Sequence, residues 1–298
     1  MKHIRALLVL TLILLVTTVS AQDKKPLTSY SRDIWTTRNG LPHNQANAIA
    51  QTPEGYLWFA TWEGLVRYNG QDFQTFTSKN VPALHDHGIR HVSVGSNGRL
   101  IVSTSRGGLA ILEDKIWRTI DSQDGLAEND IVAAVEDNHK NIWVAHESKG
   151  ISRIDSNGKV QLYGKNQGIP DERLYSIYKD SDNVIWAGTA NGLVRIENGQ
   201  VQVFTDKHGL PKGAVYSILQ APEGGIYLGT NEGLYKIHNG EITNANINFP
   251  KEAVISLSLD AEKNLWIGTV NRGIIRMNAL GLEGFNADQG LPNNRASS

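Results

Sequence analysis

Histidine is concentrated at one place in the chain, His85-Asp86-His87 with His91 four residues on, and imidazole and carboxylate groups are the ligand types of zinc and copper sites. A single segment supplies all of them, so a polar loop is the preferred reading and no metal or cofactor is expected. Asp137-Asn138-His139-Lys140-Asn141 and Asp180-Ser181-Asp182-Asn183 superficially look like calcium loops, but the glycine and glutamate of an EF-hand are out of register. Tryptophans at 58, 143, 186 and 266 could form a carbohydrate-stacking stripe, yet they hold one repeated position, which points to packing instead. The chain has no G-x-S-x-G, phosphate-binding loop or H-E-x-x-H, and with no cysteine a thiol nucleophile is excluded. The 30 acidic residues offer too many accidental pairs for a carboxylate dyad to be chosen, so no catalytic residue is assigned.

What positions these residues is a repeat. Leu57-Trp58-Phe59-Ala60-Thr61 recurs as Leu100-Ile101-Val102-Ser103-Thr104, Ile142-Trp143-Val144-Ala145-His146, Ile185-Trp186-Ala187-Gly188-Thr189, Ile226-Tyr227-Leu228-Gly229-Thr230 and Leu265-Trp266-Ile267-Gly268-Thr269. The second residues stand at intervals of 43, 42, 43, 41 and 39, the length of a propeller blade. A glycine and an aliphatic residue follow each copy, from Gly64-Leu65 to Gly273-Ile274, as a tight turn requires. A short apolar run and a polar turn precede each copy, and an alternating run such as Phe73-Gln74-Thr75-Phe76 ends it, so each unit supplies four short strands. Units are joined by Gly40-Leu41-Pro42, Gly125-Leu126, Gly168-Ile169-Pro170, Gly209-Leu210-Pro211 and Gly290-Leu291-Pro292. Such units are usually arranged radially, which protects their edges.

The expected fold is therefore an all-β propeller with six complete four-stranded blades. Asp33-Ile34-Trp35-Thr36 reads as an outer strand with no inner strands before it, and Gly290 opens a unit whose strands are missing. An incomplete seven-bladed ring, truncated at the C-terminus, is the expectation, with a six-bladed ring as the alternative. Lys2 and Arg5, the apolar run Ala6 to Val16 and Val19-Ser20-Ala21 predict a signal peptide over residues 1–21, which leaves 22–298 as the propeller and an exported, periplasmic protein. A formal net charge of -1 favours neither nucleic acid nor an anionic membrane surface. With no cysteine, stability must come from buried area.

In a propeller the joints and the turns between second and third strands share one face, and residues that break the repeat there are candidates for ligand binding. They are Trp62, Arg90, Arg106, His146, Arg173 and Arg272. Convergent guanidinium groups would suit carboxylate, sulfate or uronate groups.

The G-L-P joint, W-x-[GA]-T strand and following G-L turn, over roughly Trp35 to Pro292, resemble the two-component-regulator propeller family. Residues 35 to 70 look like its first blade. The second and third blades depart from its pattern, at the strand Leu100 to Thr104 and at His146. The resemblance implies the periplasmic sensor half of an inner-membrane receptor, homodimeric in one arrangement, whose β-sandwich, membrane helix and kinase or cyclase lie outside this sequence. It implies a small molecule or oligosaccharide, anionic in one version, as the ligand. A secreted lyase or glycosidase acting on polysaccharide, or a scaffold for protein partners, are the competing expectations.

Overall fold

The computed structural model describes residues 26–296, so the predicted signal peptide lies outside the described residues. The chain separates into two units, residues 1–32 and 33–298. The described part of the first contains a single 3-10 turn, Leu27–Ser29.

The second unit is a β-propeller of six four-stranded antiparallel meanders, each formed by strands consecutive in sequence. The first blade comprises Ala46–Gln51, Leu57–Thr61, Gly64–Tyr68 and Phe73–Phe76. The innermost strands of the next five are Ile89–Val94, Ile131–Glu136, Leu174–Lys179, Val215–Gln220 and Val254–Leu259. The six repeated segments, from Leu57–Thr61 to Leu265–Thr269, form the second strands with the bounds expected from sequence. The turn glycines Gly64, Gly192 and Gly233 have φ of 135°, 142° and 129°, a region that side chains disfavour.

Five apolar clusters hold five interfaces between neighbouring blades. In one, Trp143, Ala145 and Ile151 of the third blade meet Ile177, Ile185, Ala187 and Val194 of the fourth. The others join first to second, second to third, fourth to fifth and fifth to sixth. Trp58, Trp143 and Trp186 are thus packing residues, as their shared position implied, while Trp266 is part-exposed. Blades approach closely where the second strand carries glycine. A β-carbon on Gly188 or Gly229 would collide with the carbonyl of Val215 or Val254 in the next blade.

A polar network fastens the turn between first and second strands. Asp137 accepts from Trp143 Nε1 at 2.9 Å, Asn141 Nδ2 at 2.7 Å and the amides of His139 and Asn141. Asp180 and Asp260 take the indole N–H of Trp186 and Trp266 in the same way, each at 2.8 Å. Burial alone would raise the Asp137 and Asp260 carboxyls, but these bonds outweigh it and hold both below the usual range. Asp137 and Asp180, which looked like calcium ligands, are therefore committed to their own turns. In the first blade Thr52 stands six residues before the tryptophan, where the aspartates stand in those three blades, and Thr52 Oγ1 and Trp58 Nε1 are both buried without a partner.

Candidate functional site

Each innermost strand begins with the same irregularity. Its first residue pairs in register, the second is skipped, and the ladder resumes at the third. A β-bulge re-aims the extra side chain away from the two packed faces of the strand. The six bulged residues are Asn47, Arg90, Val132, Tyr175, Tyr216 and Ile255, and none is fully buried. Because these strands are innermost, the bulges turn these side chains towards the propeller axis beside the joints, with Val132 also packed on the interface between the third and fourth blades. Tyr175 and Tyr216 meet edge to face there, with ring centroids 5.2 Å apart.

The joints and the turns between second and third strands do share one face. The amide of Gly108 donates to Asn129, that of Glu147 to Asp130 and that of Ala190 to Arg173. Arg90, Arg106 and Trp62 fall in one patch across the first three blades. Arg90 Nη2 lies 3.0 Å from Asp130 Oδ1, and Nη1 bonds Glu147. Arg106 is near enough to Asp86 and Asp130 to stabilise both carboxylates. Asp86 accepts from Ser105 Oγ at 2.5 Å and from the Gly88 amide at 3.2 Å. Trp62 closes the patch, its indole flanking Gly88 beside Ser105. Gly88 has no room for a side chain, because a β-carbon would meet Ser105 Oγ at 2.7 Å.

Electrostatics distinguishes the two aspartates. Burial would raise Asp86, but Ser105, the Gly88 amide, Arg106 and His87 together hold its carboxyl below the usual range. Asp130 is pushed above it, first by burial and then by Glu147 and Glu128, against the pull of Arg90 and Arg106. The result is a patch of alternating charge rather than an open cationic pocket.

The remaining sequence candidates stand apart from that patch. Arg173 pairs with Asp171 at 3.4 Å, and Asp171 also accepts from Asn191 Nδ2 at 2.8 Å. Arg272 is 4.0 Å from Glu252, itself bonded to the amide and side chain of Asn271. Each arginine thus has a local carboxylate, and the guanidinium groups do not form one shared anion site. His146 differs from the surface reading more sharply. It is fully buried, its Nε2 lies 2.8 Å from Ser152 Oγ, and burial drives its imidazole down to about 4. It breaks the repeat inside the blade, where the other five blades bond a threonine hydroxyl to a glycine carbonyl.

The histidine-rich segment is dispersed. His85 faces Asp121 at 3.6 Å, Asp86 turns to Ser105, and His91 lies within the innermost strand of the second blade. Among the described residues, no group of three or more histidines and carboxylates converges as a metal would need. Sequence reasoning missed Asp86, Asp130 and Glu147 as partners of the arginines, and Tyr175 and Tyr216 at the axis. The signal for the tyrosines was available, since they occupy a position whose residue type changes in every other blade.

Comparison with known proteins supports the repeat assignment. Residues 40–63 and 168–191 match the two component regulator propeller family, so repeats of this type are present in the chain, as their motifs indicated. The fold is similar to the extracellular domain of the putative hybrid two component system BT3049 from B. thetaiotaomicron, with TM-score 0.76, 23% identity and 89% of this chain covered. It is also similar to that of the putative one component system BT4673 from the same organism, with TM-score 0.69, 22% identity and 83% covered. The chain spans only 38% and 34% of these two structures. A virginiamycin B lyase from Staphylococcus aureus shares the fold at TM-score 0.64 and 18% identity, over 80% of this chain and 83% of the lyase. No curated protein sequence matches the chain.

Proposed function

We propose that this chain is the ligand-sensing propeller of a membrane-linked signalling receptor, held outside the cytoplasm, and that it reads a small polar molecule or oligosaccharide on the face that carries the joints. The observation that carries this reading is the patch that holds the Arg90–Asp130–Glu147 and Asp86–Ser105 groups, with Trp62 beside Gly88 and Ser105, in a chain that carries two component regulator propeller repeats. An aromatic face beside fixed donors and acceptors is how a protein orients a hydroxyl-rich ligand. Because Arg90 faces Asp130 and Glu147 and Arg106 lies beside Asp86 and Asp130, the arrangement favours neutral sugars over polyanions. Bidentate guanidinium recognition of a ligand carboxylate would first have to displace the protein's own acid.

A thermal-shift screen of neutral and uronate-containing oligosaccharides, followed by product analysis, tests the reading. The expected result is a concentration-dependent rise in unfolding temperature with neutral oligosaccharides and no change in the sugar itself. A ligand present at about 100 times its Kd stabilises the fold by about 2.7 kcal/mol, which is readily seen. Turnover of a polysaccharide would overturn the sensor reading. Binding confined to uronates would overturn the preference for neutral sugars.

A further inference from the structure

We propose that the cavity between the third and fourth blades, on the face opposite the joints, binds a small organic carboxylate through Arg153. The repeat supplies its own controls. In five blades the third strand carries a cation stacked on the aromatic ring of the second. The guanidinium carbons of Arg67, Arg153, Arg195 and Arg276 lie 5.8, 5.8, 5.7 and 5.9 Å from the rings of Trp58, Trp143, Trp186 and Trp266. Lys236 Nζ lies 5.4 Å from the ring of Tyr227. Four of these cations reach an acceptor in their own blade. Arg67 donates to Gln74 at 2.5 Å, Arg195 to Glu197 at 2.8 Å, Lys236 to Glu223 at 2.7 Å and Arg276 to Glu283 at 2.5 Å. Arg153 reaches none among the described residues, and its Nε is buried without a partner. Gln161 stands opposite Arg153 in the strand register as Gln74 stands opposite Arg67, but no bond joins them.

A guanidinium N–H taken from water and left without an acceptor is destabilising. Three of the four acceptors that the other blades supply are carboxylates, so the group that would complete the third blade in the same way is a carboxylate. Space for one is present. Arg153 lines a cavity of about 330 Å3, a volume in the range of small-molecule sites. Its walls include His139 and Asn183, from the turns between first and second strands, and Asn198 and Gly199, from the turn between third and fourth strands of the fourth blade. In an antiparallel meander these two kinds of turn share the end opposite the joints, so the cavity is separate from the Trp62 patch. The corresponding cavity between the fourth and fifth blades, of about 490 Å3, is lined by an arginine that the protein already satisfies, Arg195 bonded to Glu197.

The surroundings leave Arg153 available. Three acids share the lining, and two of them are engaged elsewhere. Asp137 accepts from Trp143, from the Asn141 side chain and from two amides of its own turn, and Glu197 accepts from Arg195. Asp182 is exposed at the rim, where water and salt screen its charge. A second donor stands on the same wall. Asn183 Oδ1 accepts from the Asn138 amide at 2.7 Å, so its Nδ2 is the donor towards His139 Nδ1 at 3.2 Å. The neutral imidazole of His139 then carries its proton on Nε2. Trp143, tied by its own indole N–H to Asp137 at 2.9 Å, holds the guanidinium in place before any ligand arrives. A planar carboxylate can take two parallel bonds from such a fork, which a tetrahedral anion matches less well.

Calorimetric titration with glutamate, succinate and gluconate at millimolar concentration, and with sulfate as a tetrahedral anion, tests the site. The expected result is saturable binding of at least one of the three carboxylates to the parent protein. Its Kd should rise at least tenfold in Arg153→Gln and also in Arg153→Lys, since an ammonium keeps the charge but loses the fork. Arg67→Gln, at the equivalent position of the first blade, and Trp62→Ala, on the opposite face, should leave that Kd unchanged. No saturable binding of any of the three carboxylates overturns the proposal, as does an equal Kd in parent and Arg153→Gln. Tighter binding of sulfate than of all three overturns the carboxylate assignment. Loss of carboxylate binding in Trp62→Ala, with Arg153→Gln unaffected, places the ligand on the face of the joints and overturns the proposal while leaving the sensor reading standing. Should Arg153→Gln fail to fold, Arg153→Lys reads the same loss of bidentate bonding.

Discussion

Replacing Asp180 with alanine is expected to lower the thermal unfolding midpoint by about 6–12 °C, the equivalent of about 3 kcal/mol at about 2–4 °C per kcal/mol for a chain of this size. The carboxylate is 6% exposed and accepts from Trp186 Nε1 at 2.8 Å, the Val184 amide at 2.9 Å and the Asp182 amide at 3.0 Å. Alanine leaves a buried indole N–H without a partner and removes the tie that shapes the turn. Such donors cost more when abandoned than their bonds contribute when made. The same logic runs in reverse in the first blade. Thr52→Asp places a carboxylate beside the unpartnered Trp58 Nε1, and a gain of about 1 kcal/mol is expected. Denaturant midpoints for the two variants check both signs, and a neutral Asp180→Ala would show that the network does not hold the blade.

The second large effect is on acid stability. Burial lowers the imidazoles of His91 and His146 to about 4, against 6.5 for an ordinary side chain. Their folded-state values are depressed, so in the unfolded chain both histidines take up protons first. The stability they contribute is fully present above pH 6.5 and is lost as pH falls from there towards 4. At about 1.36 kcal/mol per pKa unit this amounts to about 3 kcal/mol for each histidine. His146→Thr should remove about half of the slope of stability against pH between about 6 and 4.5. The replacement hydroxyl can bond the Gly150 carbonyl, as Thr61 bonds Gly64 at 2.7 Å and Thr104 bonds Gly108 at 2.8 Å. Denaturant midpoints measured from about pH 7 to pH 4.5 check this, and parallel curves for variant and parent would contradict it. The turn carboxylates Asp137 and Asp260 act below this window, since their values are held low.

Much of this architecture was legible in the sequence because the repeat is enforced by packing. A tryptophan that must fill an interface, a small residue where the next blade's backbone passes, and a glycine where φ is positive all recur at fixed spacing. The site was legible only in part. Arg90, Arg106 and Trp62 stood out as breaks in the pattern, but the partners of Arg90 come from another blade: Asp130 and Glu147 are far from it in sequence. The pairing that changes the charge of the patch was therefore invisible before folding. His146 shows the opposite error. A residue can break a surface-looking pattern because the core admits it, and this histidine is buried against Ser152 rather than presented on the face with the arginines. Asn47, Arg90, Val132, Tyr175, Tyr216 and Ile255 share a bulge that no spacing rule marks, because a bulge alters direction without altering the repeat length.

The most direct test of ligand sensing on this face is a calorimetric titration of the most stabilising neutral oligosaccharide into the parent protein and into Trp62→Ala. Trp62 lies at the edge of the patch and is 36% exposed, so its removal should leave the fold intact while stripping the aromatic platform. A tenfold or greater rise in Kd, equivalent to about 1.4 kcal/mol, is the predicted result. An unchanged Kd in a folded Trp62→Ala protein would contradict the assignment of the binding face.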